Sequence, residues 1–169
     1  MRKSEERWRF ALEGAGDGVW DWDVPTNEVQ FSKRWKEMLG YAEDEIGTGF
    51  DEFEKLVHPE DLPHVRVGVQ AYFDGKTPAL IFEFRMLCKD SSWKWILSRG
   101  MVVSRDADGR PLRVIGTHTD ITARKLAEAT ILRQANFDPL TQLPNRALFH
   151  DRLEQAIKAA HRRDRKSVV

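Results

Sequence analysis

One cysteine, Cys88, stands in the 169 residues. A single thiol excludes an internal disulfide and fits a chain that folds in a reducing compartment, so the location expected is the cytoplasm. Cys88 lies inside the apolar run LIFEFRMLC, which predicts a buried, inert side chain and not a nucleophile. No apolar stretch approaches the roughly 18–20 residues of a membrane span. The start MRKSEERWRF is charged and lacks an apolar segment, so neither a signal peptide nor a span in this segment is expected. There is no excess of either charge: 27 basic residues face 27 acidic ones, which argues against nucleic acid as a partner. The local run HRRDRK at 161–166 reads as the solvated end of a helix. His58, His64, His118, His150 and His161 show no metal-ligand spacing with Cys or carboxylates. With no glycine-rich phosphate loop and no Ser and His placed as nucleophile and base, no catalytic residue and no metal site are expected.

What the chain does have is apolar mass: 41% hydrophobic residues, six Trp and nine Phe, enough for the core of one domain with extensions. SEERWRFALEGA (4–15) reads as a short amphipathic helix capped by Ser4, with Trp8 and Leu12 on one face. VWDWDV (19–24) alternates strictly and predicts a strand with Trp20 and Trp22 on one side and Asp21 and Asp23 on the other, the carboxylates facing solvent or supporting a turn. PTN turns the chain, with Asn27 able to take a left-handed conformation, and EVQF returns as a second strand. Ser32 caps KRWKEMLG, which Gly40 stops. DEFEKLV adds a turn or two of helix, and HPEDLPHVRVGVQAYF begins another with Pro59 at its first position and Glu60 and Asp61 at the positive end of the dipole. Three long strands follow at 79–88, 93–103 and 112–121, then a polar–apolar helix from 123. This order predicts an α+β fold, an antiparallel sheet with helices on one face.

GVWDWDVPTNEVQFSKRWKEMLGY, HPED, FEFRMLCKDSSWKWI and VIGTHTDITARK, in this order, resemble a PAS sensory domain over about residues 14–124. The resemblance implies a five-stranded antiparallel sheet of order 2-1-5-4-3 with short helices on one face, plus N- and C-terminal helices. The family usually shows Asp-Gly in the hairpin where Asp90-Ser91-Ser92 stands here, and Ser at positive φ is strained.

Strand parity then selects a binding face. Phe82, Phe84, Met86 and Cys88 share one face of their strand, and Glu83 and Arg85 the other, where Trp95 covers them. Ile96, Ser98, Gly100 and Val102 point inward from the next strand, and Val114, Gly116 and His118 from the last. The pocket candidates are therefore His118, Phe82, Phe84, Met86, Ile96, Ser98 and Val114, for an unknown small molecule or none. The resemblance puts His118 where flavin-binding relatives place a glutamine. A core role for it, with a backbone carbonyl or water as partner, is the competing reading. Flavin photochemistry implies a reactive cysteine on the helix before the third strand, and residues 59–74 contain none. His64, near a helix start, is a poor fit for haem.

DPLTQLPNR at 138–146 resembles the entry of a GGDEF diguanylate cyclase domain, in which Asp138 and Arg146 form a structural joint, expected as a salt bridge. That family carries a Gly-Gly-Asp/Glu-Glu-Phe loop well downstream. The expectation is a catalytically silent stretch, with the missing cyclase domain to follow. The divisions expected are an N-terminal helix (1–13), the PAS domain (14–122), a linker helix (123–137) and the GGDEF start (138–169). Asp120 and Thr122 end the last strand, with Thr122 as cap, and Leu126 and Ile131 mark a face suited to a short parallel coiled coil. A homodimer through the N-terminal and linker helices is the assembly expected. Phe149, Leu153, Ile157 and Ala160 form a stripe expected to be covered by another chain or the sheet, or to be disordered. Two alternatives stand beside the sensor reading: a PAS dimerisation module without ligand, and the input domain of a histidine kinase with His150 as phosphoacceptor.

Overall fold

A computed structural model describes residues 16–166, with side chains through Ala160. The predicted helix at 4–15, with Trp8 and Leu12, lies outside the described residues. The chain divides after Thr122 into two compact units.

In the first unit, strands β1 (Gly18–Asp23), β2 (Glu28–Phe31), β3 (Leu80–Leu87), β4 (Trp93–Arg105) and β5 (Pro111–Asp120) form one antiparallel sheet in the order β2-β1-β5-β4-β3. Helices α1 (Lys33–Met38), α2 (Phe50–Leu56) and α3 (Leu62–Phe73) fall between β2 and β3. The order matches the expected 2-1-5-4-3. Local chemistry explains each element. Asn27 adopts φ 59 in the β1–β2 turn, and the Asp23 carboxylate accepts from the amide and hydroxyl of Thr26 to close it. The Ser32 hydroxyl accepts from the Trp35 amide, starting α1, and also from the Val19 amide, so one side chain ties helix to sheet. Gly40 at φ 83 lets the chain leave the helix.

α3 begins later than its sequence suggests. Pro59 precedes the helix, which starts at Leu62 with Pro63 in its first turn. Asp61 makes no side-chain cap because its carboxylate is engaged elsewhere, accepting from the Arg85 amide at 2.8 Å and from the guanidinium at 2.8 and 2.9 Å. This places 57–61 along the free edge of β3, where Val57 bridges Met86 and the His58 amide donates to the Arg85 carbonyl. Arg85 holds the Asp61 carboxyl below its ordinary range. Ser91 in the β3–β4 hairpin sits at φ 67, the strained position anticipated for a non-glycine residue there.

The core lies between the sheet's inner face and the helices, with Trp35, Phe84, Leu39, Met86, Ile96 and Val114 fully enclosed. Trp20 lies against the sheet floor only because Gly116 and Gly100 lack side chains. A Cβ on Gly116 would stand 2.2 Å from Trp20 Cζ2 and 2.3 Å from the Arg99 carbonyl oxygen. On the outer face the Arg85 guanidinium lies 5.6 Å from the Trp95 ring centroid.

From Ala123 onward the second unit contains α4 (Thr122–Asn136) and α5 (Arg146–Lys166), joined by residues 137–145. The expected Asp138–Arg146 salt bridge is not made. Asp138 instead accepts from the amides of Leu140 and Thr141 and the Thr141 hydroxyl, which lowers its pKa and stabilises the turn. Asn145 caps α5 by accepting from the Leu148 amide, and its own side-chain amide donates to the Ala135 carbonyl. The stripe of Phe149, Leu153 and Ile157 is helical and exposed, not disordered.

Candidate ligand cavity and output junction

Between the inner face of the sheet and helices α2 and α3 lies a void of about 40 Å³. Roughly 10–15 Å³ on this measure holds one water, so the space takes about three waters or one small ring-sized molecule. Of the seven expected pocket residues, His118, Phe82, Phe84 and Ser98 line it. Met86, Ile96 and Val114 share the inner face but do not line the void, and burial alone does not set them apart, since Phe84 is as deeply buried and lines it. Met86 lies where the Val57 segment closes over the sheet, and nearby the Leu39 carbonyl at the end of α1 accepts the Lys89 amide. The remaining walls include Trp20 and Trp22 from β1, Phe50 and Phe53 from α2, and Val65 and Val69 from α3. Trp20 and Trp22 were legible: β1 parity turns them inward, and β1 pairs with β5 beside His118, with Trp20 opposite Gly116 and Gly18 opposite His118. The helical contributors carried no such signal.

His118 is 2% exposed, and its Nδ1 accepts a 2.8 Å hydrogen bond from the Trp35 indole N–H. The partner is thus a tryptophan 83 residues away, not the backbone carbonyl or water considered from sequence. Trp20, Trp35, Phe53 and Phe84 surround the imidazole with ring centroids 5.6–5.9 Å away. Burial among these rings holds its pKa down at about 3, so the ring is neutral. An Nδ1 that accepts carries no proton, which leaves the hydrogen on Nε2. Ser98 stands directly opposite His118 in the β4–β5 register and is also buried. The indole nitrogens of Trp20 and Trp22 are buried without a partner.

The second site is the junction where β5 leads into α4. Asp120, not Thr122, caps the helix: its Oδ1 accepts from the Thr122 amide, and its Oδ2 pairs with Lys94 at 3.0 Å. The Thr122 hydroxyl is used differently, accepting from the Trp95 amide of β4 at 3.0 Å. Lys94 also donates to the Met38 carbonyl at the end of α1. The helix that supplies Trp35 to His118 is therefore tied through Lys94 to the carboxylate that starts α4. Leu126 and Ile131 on α4 are 64% and 65% exposed. Among the described residues no group of His, Cys, Asp and Glu is placed to hold a metal, and no helix is long and apolar enough to cross a membrane.

A twisted five-stranded sheet that encloses a small cavity under short helices, and delivers its last strand into an exposed helix, defines a signal-input module. The chain belongs to the PAS fold family, whose model matches residues 28–118, and a second model, the diguanylate cyclase GGDEF domain, matches residues 135–169. Among similar proteins, the sensor protein FixL of Bradyrhizobium diazoefficiens is 25% identical over 126 residues, covering 75% of this chain and 24% of its own length. The probable diguanylate cyclase DgcE of Escherichia coli is 26% identical over 125 residues, covering 73% of this chain and 11% of its own length. A crystal structure of a sensory box histidine kinase/response regulator from Burkholderia thailandensis superposes with a TM-score of 0.65 at 28% identity, covering 74% of this chain and 92% of that one. The N-terminal domain of a diguanylate cyclase with PAS/PAC sensor from Marinobacter aquaeolei shares the fold, with a TM-score of 0.56 at 22% identity, covering 64% of this chain and 98% of that one. The chain spans about a quarter or less of the curated relatives' lengths.

Proposed function

We propose that this chain is the regulatory input of a diguanylate cyclase, a cytoplasmic PAS module that sets the alignment of two GGDEF domains in cyclic di-GMP signalling. The observation that carries this reading is the order of parts: the PAS match ends at 118, α4 spans 122–136, and the GGDEF match begins at 135. Joining two GTP molecules held by two protomers makes output depend on how the chains pair. The exposed Ile131, with Ala127 and Ala135 four residues to either side, gives α4 a face for a parallel homodimer. Residues 138–169 contain no glycine, so the Gly-Gly-Asp/Glu-Glu-Phe loop does not lie within them. His150 is exposed on α5 but falls inside the GGDEF match, which weighs against a phosphoacceptor role. A void of about 40 Å³ weighs against flavin or haem. The sole cysteine, Cys88, is not among the residues lining it. The test joins residues 1–169 to a complete GGDEF domain and follows GTP conversion. Asp120→Ala and Ile131→Asp are expected to change the rate several-fold, the second also shifting the dimer to monomer by native mass spectrometry. A rate indifferent to both substitutions refutes the reading.

A further inference from the structure

The chemistry of the cavity wall narrows what it accepts. None of the residues that line the void carries a charge, and the pocket surface is aromatic and aliphatic apart from a few polar atoms. An ionised ligand would enter without a counter-charge, at a cost of several kcal/mol or more. The polar atoms present are nearly all donors. His118 offers Nε2–H, because Trp35 occupies Nδ1 from the side away from the void: Trp35 is not a lining residue, whereas Trp20, Phe53 and Phe84, which surround the rest of the ring, are. Neither His118 Nε2 nor the Ser98 hydroxyl has a hydrogen-bond partner among the described residues. Their strands place them side by side on the cavity floor, at the roughly 4.5–5.5 Å typical of directly opposed residues. Two further donors, the indole N–H groups of Trp20 and Trp22, are buried and unpartnered in the walls. The buried indole N–H groups are left unpaired at a cost, and His118 Nε2 and the Ser98 hydroxyl beside the void are bonded to nothing within the described residues, so the site points to an acceptor that is supplied from outside the chain.

We propose that the cavity binds a small, uncharged, mainly apolar molecule bearing a hydrogen-bond acceptor such as a carbonyl, which receives the His118 Nε2–H and the Ser98 hydroxyl while the aromatic walls bury the rest. This rests on the sensor reading and gives the sensed molecule a chemical class. It also links the ligand through the His118 ring, by two hydrogen bonds, to Trp35 and so to the helix that Lys94 ties to Asp120.

Three probes of similar ring size separate the possibilities: cyclopentanone, cyclopentane and cyclopentanecarboxylate. Each is titrated into the uniformly ¹⁵N-labelled 169-residue chain, following backbone amides and the imidazole nitrogens. Cyclopentanone is expected to bind saturably, shift the His118 Nε2 resonance and bind about fivefold more tightly than cyclopentane, the worth of one hydrogen bond of about 1 kcal/mol. Ser98→Ala, a small change that the fold tolerates, is expected to weaken cyclopentanone by a similar factor and leave cyclopentane unchanged. Equal affinity for ketone and hydrocarbon overturns the acceptor while leaving a ligand-binding sensor in place. Preference for the carboxylate overturns the uncharged class. If none of the three saturates, the proposal fails, and the cyclase assay alone then decides whether the module regulates without a ligand.

Discussion

Replacing His118 with glutamine should flatten the acid dependence of stability, and the size of the effect follows from burial. The ordinary histidine pKa of 6.5 falls to about 3 in the folded chain. Above pH 6.5 both folded and unfolded states hold a neutral ring and the group contributes no pH dependence. Below it the unfolded chain binds a proton that the folded chain refuses, so stability is lost as pH falls from 6.5 toward 3. At about 1.36 kcal/mol per pH unit, moving to pH 5 costs about 2 kcal/mol, a large share of the roughly 5–15 kcal/mol typical of a domain. Glutamine has nearly the same length, its amide oxygen can still accept from the Trp35 indole, and it does not titrate. Urea unfolding of both proteins at pH 8 and pH 5 isolates the residue, because the other histidines are common to both. The carboxylates held low by partners, Asp61 and Asp120 among them, lose their stabilisation mainly below pH 5. The wild type should lose about 2 kcal/mol more than the variant. Parallel losses would mean that the imidazole takes up its proton in the folded state, and the aromatic enclosure would be wrong.

Trp35→Phe keeps the stack on Phe31, whose ring centroid is 4.1 Å away, but removes the N–H that His118 Nδ1 accepts. It should cost about 1–3 kcal/mol and release the tautomer, seen as averaging of the imidazole nitrogen shifts; a single retained Nε2–H form would show that Trp35 does not set it. Gly116→Ala should cost about 2–3 kcal/mol or prevent folding, since its Cβ meets the Arg99 carbonyl at 2.3 Å as well as the Trp20 ring. Gly75→Ala, at φ 71 with nothing within 4 Å, should cost about 1 kcal/mol, and equal losses at the two sites by urea unfolding would refute the close-packing account.

Much of the architecture was legible because strand parity is a local property. Alternation over VWDWDV turned Trp20 and Trp22 inward, and the same period placed Phe84, Ile96, Ser98, Val114 and His118 on one face, where all are buried. Turn chemistry at Asn27 and the Ser32 cap are local in the same sense. Parity does not tell a lining residue from a packed one. Met86, Ile96 and Val114 were equivalent in sequence to Phe84 and Ser98, and what separates them is where the helices close on the sheet.

Capping shows the same limit. Thr122 had the right residue type and position to cap α4, yet Asp120 does so while the Thr122 hydroxyl serves the Trp95 amide of a neighbouring strand. Asp61 likewise leaves its helix to hold Arg85. The sequence by itself determined the strands, their inward faces and the order of parts from sheet to linker helix, since these depend on residues a few positions apart. The Trp35–His118 bond, the boundary of the void and the partners of Asp61 and Asp120 were decided only in the tertiary structure. There, groups 83 residues apart and more compete for the same donors and acceptors, and packing selects among chemically equivalent choices.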